Sequence, residues 1–132
     1  MRLIVDGMNV IGARPDGWWR DRSAARRRLA SAIAGGVPSL GAEQVTVVFD
    51  GSPAAEEAAV MDGFETLEVL FAPGGPNAAD DVIAELVGRA PDPGAIVVVT
   101  SDAALASRVR AGGARVEGAS GFRRRLPGER DR

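Results

Sequence analysis

Three segments of this chain run from apolar residues straight into an aspartate: LIVDG ends at Asp6, VVFDG at Asp50 and VVVTSD at Asp102. A buried, unpaired carboxylate costs several kcal/mol or takes up a proton. A single Asp-Gly after a strand is ordinary turn chemistry, and Thr100, Ser101 and Asp102 also suit a helix N-cap. Three such endings in one small chain point to a shared acidic site. A fourth acid, Asp80 in PNAADD, falls in the first turn of a helix; its neighbour Asp81 lies about 100° further round. Both could simply favour the helix N-terminus, a reading that suits Asp81 better, while Asp80 is the better placed of the two for the site. Two carboxylates about 5 Å apart repel by roughly 3 kcal/mol at an effective dielectric of about 20. Mg²⁺ or Mn²⁺, bound through oxygen ligands, is the natural compensator.

The elements that must hold these acids follow from the hydrophobic pattern. Strands are expected at Leu3–Asp6, Val45–Asp50, Thr66–Ala72, Ala95–Ser101 and Ala114–Gly118. VTVVF and AIVVVT are continuous apolar runs, as in parallel strands covered on both faces. Helical segments alternate with them. Asp21–Ala34 carries Ala25, Leu29 and Ile33 on one stripe and is expected to stop at Gly35-Gly36. Pro53–Met61, Asn77–Arg89 and Ala103–Ala111 complete the set, the last ending at Gly112-Gly113. This alternation predicts a three-layer α/β fold with a mostly parallel central sheet and helices on both faces. In such sheets the ligand crevice lies at the carboxyl ends of the strands, where Asp6, Asp50 and Asp102 all fall.

Composition excludes much other chemistry. The 132 residues suit one domain, expected over residues 1–126 with a polar tail at 127–132. There is no Cys and no His, and all 16 basic residues are Arg. Ser–His–Asp and Cys–His catalysis, ordinary zinc sites and lysine-dependent chemistry are therefore excluded. Carboxylates, hydroxyls, Arg, backbone groups and a bound cation remain. No apolar run approaches a membrane span, and the strand beginning at Leu3 leaves no room for a signal peptide, so a cytoplasmic protein is expected. Residues 1–42 carry seven Arg against three acids, 43–107 one Arg against twelve acids, and 108–132 eight Arg against three. An acidic middle between basic ends suits a cation site flanked by surfaces for a polyanion. Ordinary solvated helix faces would give the same count.

DGMNVIG, VVFDG, the NAADD helix start and VVTSD, in that order and spacing, resemble the NYN-domain, YacP-like branch of the PIN-like ribonucleases. The resemblance runs from Leu3 to about Leu126. It implies a PIN-like sheet of strand order 3-2-1-4-5 and a metal-dependent endoribonuclease that hydrolyses RNA phosphodiester bonds. It further implies Asp6, Asp80 and Asp102 as core acids and metal ligands, with Asp50 as a fourth. Asn9 and Ser101 match residues that orient water or a phosphate oxygen. Met8 stands where the family often has Tyr. RNA is the implied partner, with messenger RNA in a translation setting as one such substrate.

PDGWWRDR brings two tryptophans beside Arg14, Arg20 and Arg22. Adjacent Trp residues point different ways, so one is expected in the core and the other free to stack on an unpaired base. Trp18, Arg14, Arg20, Arg22, Arg26 and Arg27, with Arg123, Arg124 and Arg125, are the expected RNA contacts. Each Arg taken singly is equally a solvated charge. Two further readings stand beside the nuclease: an RNA-binding module of the same fold with weak cleavage, and a PIN-type toxin held by a partner protein.

Overall fold

The computed structural model describes residues 1–75 and 77–127. Its strands are β1 (Arg2–Asp6), β2 (Gln44–Asp50), β3 (Glu68–Ala72), β4 (Ile96–Val99) and β5 (Arg115–Glu117). All pair in parallel in the order β3-β2-β1-β4-β5. The chain order reverses at β1, so β1 and β4 lie side by side with Ile4 opposite Val98. That is the switch point where a crevice opens in folds of this kind.

The helices are α1 (Gly7–Gly12), α2 (Arg22–Leu40), α3 (Ala55–Asp62), α4 (Ala78–Arg89), α5 (Ala103–Ala111) and α6 (Ala119–Arg124). Successive side chains of a strand face opposite sides, which splits the core in two. Leu3, Val5, Val47 and Phe49 pack with Val10, Leu29, Ile33, Met61 and Phe122, contributed by α1, α2, α3 and α6. Ile4, Val48 and Val98 pack with Ile83, Val87, Leu105 and Val109 of α4 and α5. The sheet is thus covered on both faces, the reason its strands read as unbroken apolar runs.

This alternation aims the acids. Ile4 faces α4 and α5, so Asp6, two residues on, emerges on that same side at the end of β1. Val48 and Asp50 repeat the relation on β2, and Val98 and Thr100 repeat it at the end of β4.

Two local expectations are corrected. Helix α2 does not stop at Gly35-Gly36 but continues through Pro38 to Leu40, ending at Gly41 with φ +70°. The extra turn lets Leu40 bury and Val37 pack against the core, which outweighs the local cost of Gly and Pro. Gly36 also permits a close crossing, because a Cβ there would lie 2.8 Å from Cδ of Pro127. Helix α1 forms directly after Asp6, where the sequence suggested only a turn; Val10 and Ile11 are its buried anchors. The arginine-rich segment after Gly121 contributes to the core, since Phe122 and Leu126 are fully buried. Of the expected tail, residues 128–132 lie outside the described residues.

Helix α6 therefore carries weight that its FRRR sequence conceals. Phe122→Ala should cost about 3–5 kcal/mol, the range for deleting a buried aromatic side chain, measured by chemical denaturation. A loss below about 1 kcal/mol would return the segment to the surface.

Candidate active site at the carboxyl edge of the sheet

Asp6 ends the central strand and is only 4% exposed. Its Oδ2 accepts a 2.9 Å hydrogen bond from the hydroxyl of Thr100, itself buried. Burial pushes the Asp6 pKa up from 3.8 to about 6; the Thr100 bond pulls it down, and the charges of Asp80, Asp50 and Asp102 raise it further. Four carboxylates on three strands and one helix thus feel one another across this edge.

Each of the others is held differently. Asp50 at the end of β2 accepts a 2.9 Å bond at Oδ1 from the N–H of Ala79, at the start of α4. Asp102 caps α5, its Oδ1 accepting from the N–H groups of Ala104 and Leu105 at 2.9 and 3.2 Å. Its own N–H donates to Oγ1 of Thr100 at 3.1 Å. Asp80 makes no hydrogen bond among the described residues. Its pKa is raised by burial first, then by Asp102 and Asp50, with Arg108 pulling the other way. Asp81 points elsewhere and pairs with Arg108 of α5 at 2.9 Å, as the 100° offset between the two residues leads one to expect.

Thr100 is the residue that sequence reasoning passed over. It read as one member of a cap, yet a single hydroxyl donates to Asp6 and accepts from the backbone of Asp102. The signal was available: in VVVTSD, Thr100 shares the parity of Val98, so a polar side chain emerges on the face where the acids gather.

Asn9 and Ser101 meet beside the acids. Oδ1 of Asn9 accepts from the N–H of Ser101 at 2.7 Å, and Oγ of Ser101 accepts from the N–H of Ala119 at 2.9 Å. These bonds tie α1, the end of β4 and α6 together. With Met8, Gly12, Ala13 and Ser120, the pair lines a shallow surface groove.

The expected RNA contacts divide into two groups. Arg26 is mostly buried and makes bidentate 2.7 Å bonds to Glu57. Arg123 donates to the carbonyls of Val10 and Ile11 and pairs with Asp16 at 3.0 Å. Arg125 binds Glu117 through Nε and Nη2. Arg20, Arg22, Arg27 and Arg124 are exposed. Arg14 is half-buried and, with Trp18, Arg28 and Arg123, lines a cavity of about 210 Å³ between α1, α2 and α6. Trp18, expected as the stacking residue, packs against the core, while Trp19 is 50% exposed.

The sequence pattern of the YacP-like NYN domain matches residues 3–131. The chain belongs to that family. Its fold is similar to the crystal structure of Rae1 (YacP) from Bacillus subtilis, with 29% identity and a TM-score of 0.69 over 92% of this chain and 71% of that one. A mutant of the same Bacillus protein superposes with a TM-score of 0.66 at 29% identity, over 90% and 70% of the two chains. Compared with individual curated proteins, the chain matches none. Family and neighbours together make this a nuclease-type, PIN-like fold.

The donor set fits a hard divalent cation: carboxylate oxygens only, and one acid lifted to about 6 by burial and its neighbours. Among the described residues, no three acidic side chains close on one point as they stand. Asp80, free of hydrogen bonds to the described residues, is the side chain able to turn inward.

The raised pKa carries a stability consequence. A carboxyl whose folded pKa of about 6 exceeds its ordinary 3.8 contributes stability below 3.8 that is lost as pH rises through 6. The difference amounts to roughly 3 kcal/mol as an upper bound. In EDTA, Asp6→Asn should therefore gain on the wild type in melting temperature as pH climbs through that window. Millimolar Mn²⁺ should narrow the gap by stabilising the wild type. A gap flat with pH and indifferent to metal would mean that Asp6 merely ends a strand.

Proposed function

We propose that this protein is a metal-dependent endoribonuclease that hydrolyses RNA phosphodiester bonds in the cytoplasm, with messenger RNA in a translation setting as one substrate class. One observation carries the reading: Asp6 is buried at the end of the central strand within electrostatic reach of Asp80, Asp50 and Asp102, its pKa raised to about 6 by burial first and by those charges after it. Membership of the YacP-like NYN family supports it.

Asp6 and Asp102 would hold Mg²⁺ or Mn²⁺, with Asp80 joining by side-chain rotation and Asp50 contributing from the outer side. When bound, the cation lowers the pKa of water and offsets charge on the phosphate. The chain's own groups do the rest. Thr100 fixes Oδ2 of Asp6, which leaves Oδ1 for the site. Asp80, raised by burial and its neighbours, accepts the proton of the attacking water, while the bond from phosphorus to the leaving ribose oxygen breaks. Asn9 keeps its amide N–H₂ group for a phosphate oxygen, because its carbonyl is committed to Ser101. Ser101, whose Oγ already accepts from Ala119, retains its O–H as a donor. Arg20, Arg22, Arg27 and Arg124 are the exposed cations for the RNA backbone, with Arg14 at the cavity beside them; Arg26, Arg123 and Arg125 act first as struts.

The test is incubation with unpaired and structured RNA in Mn²⁺, Mg²⁺ or EDTA. Cleavage should require metal. Asp6→Asn and Asp102→Asn should each remove most of it while the fold persists, since Asn retains the volume and, at Asp102, the cap. Asp80→Asn should cost about 10²- to 10⁴-fold, the range for a lost general base, and Asp81→Asn far less. Equal losses at Asp80 and Asp81 would show that the wrong helix face was chosen. No metal-dependent cleavage in any combination would sink the enzyme; binding without cleavage would leave the RNA-binding module.

A further inference from the structure

We propose that Trp19 is a stacking platform for an unpaired base of RNA beside the carboxyl edge, an assignment that rests on the nuclease reading above. Among the described residues, the only large hydrophobic side chains classed as exposed are Trp19, at 50%, and Val60, at 49%. Val60 sits near the end of α3. Trp19 sits in the 3₁₀ turn Trp18–Arg20 that leads into α2.

Topology puts that turn at the carboxyl end of the sheet, on the face covered by α2 rather than the α4–α5 face on which the acids emerge. Helix α2 carries the chain from the carboxyl end of β1 back to the amino end of the parallel strand β2, so its N-terminus lies at the carboxyl end. Arg26 fixes the level: its guanidinium stands 5.8 Å from the ring centroid of Phe71. Phe71 pairs with Phe49, the residue before Asp50. Going back from Arg26 to Arg22 rises about 6 Å along the helix, so the turn before it projects past the strand ends.

The side chain is presented rather than loose. Trp18 packs against the core with Arg22 over its ring, 5.5 Å from the centroid. Trp19 stands edge-on to Trp18, with ring centroids 5.9 Å apart and planes at 85°. Holding one ring fast while its neighbour faces solvent limits the entropy that stacking would cost. The surroundings suit a polyanion: Arg20 and Arg22 are exposed on either side of Asp21. The Asp21 carboxylate caps α2, accepting from the N–H of Ala24 at 3.0 Å. Asp16 is drawn to Arg123. An aromatic face flanked by cations is the chemistry that holds unpaired nucleic acid without reading its sequence. A duplex, whose bases are already stacked, cannot use it.

Binding in EDTA, which separates affinity from cleavage, tests this with a short labelled oligouridine and with the same strand annealed to its complement. Trp19→Ala should weaken binding to the unpaired strand by about tenfold or more, and Trp19→Phe by no more than about threefold. The duplex should be affected much less. The slope of log affinity against log salt should stay unchanged for Trp19→Ala, because no phosphate contact is lost, and flatten for an Arg20→Gln, Arg22→Gln double variant. An unaltered melting temperature for Trp19→Ala confirms that the fold is intact. Wild-type affinity of Trp19→Ala for the unpaired strand, or an equal loss on both RNAs, overturns the platform while the nuclease stands on its own cleavage assay. A wild type that neither binds nor cleaves RNA overturns both.

Discussion

Like charges crowd the end of the central strand, and much of this structure consists of what is needed to tolerate them. Asp6 is sealed beneath the surface at the switch point of the sheet, with three further carboxylates within electrostatic reach. The fold answers with hydrogen bonds from its own backbone and one hydroxyl. Thr100 serves Asp6, the start of α4 serves Asp50, and Asp102 is spread over the first N–H groups of α5. Helix N-termini carry roughly half a positive charge, and in parallel α/β folds they face the carboxyl edge. Two of them are aimed here at the protein's own acids. Burial first, and the three neighbouring charges after it, still raise the Asp6 pKa to about 6. On the proposed function, a cation would supply the positive charge that these hydrogen bonds do not.

Keeping Asp6 and Asp50 in place depends on a line of packed residues beneath them. A Cβ on Gly7 would lie 2.4 Å from two ring carbons of Phe49, so only glycine lets the chain after Asp6 pass over that ring. Phe49 tilts against Phe71 with centroids 5.6 Å apart, and Arg26 lies over Phe71. Arg26 is in turn clamped by Glu57, which is nearly inaccessible to solvent. Removing one partner from such a buried pair would leave an uncompensated charge, a loss of about 3–5 kcal/mol. The Asp-Gly in DGMNV thus reads locally as a turn signal, while its glycine is required by packing against the neighbouring strand β2.

The architecture and the acids were legible because they follow from short-range rules. Apolar runs bounded by helical periodicity marked every strand, the family resemblance implied their order, and three strand ends leading to Asp marked the edge. The choice of Asp80 over Asp81 followed from helix geometry, and the ion pair between Asp81 and Arg108 agrees with it. What escaped depends on distant partners. Helix α1 is too short to show a period, and α6 hides two core residues among arginines. Gly35-Gly36 reads as a stop until Leu40 and Pro127 are seen to need the extra turn. Thr100 was overlooked because a cap is the local meaning of TSD, and its bond to Asp6 spans 94 positions. Trp18 and Trp19 are symmetric in sequence; only the packing of the core decides which is exposed.

Charge shows the same contrast between local and distant meaning. The basic ends and acidic middle suggested a polyanion surface that included Arg26, Arg123 and Arg125, yet those three are paired with acids of the chain itself. Arg26, Arg108, Arg123 and Arg125 each bind an acid from elsewhere in the chain. A chain without lysine is suited to this, because guanidinium binds a carboxylate through two parallel bonds and holds its geometry. Arg20, Arg22, Arg27, Arg28 and Arg124 stay exposed. On the proposed function, an RNA approaching the carboxyl edge would meet four carboxylates that repel it and a thin basic rim that attracts it. At physiological salt the rim acts only over about 8 Å, so attraction and repulsion are both felt at contact. On the proposed function, a divalent cation would offset part of that negative charge. The ion that the acids would hold would then also lower the repulsion a phosphate meets at this edge, and substrate and metal should bind with positive coupling rather than independently.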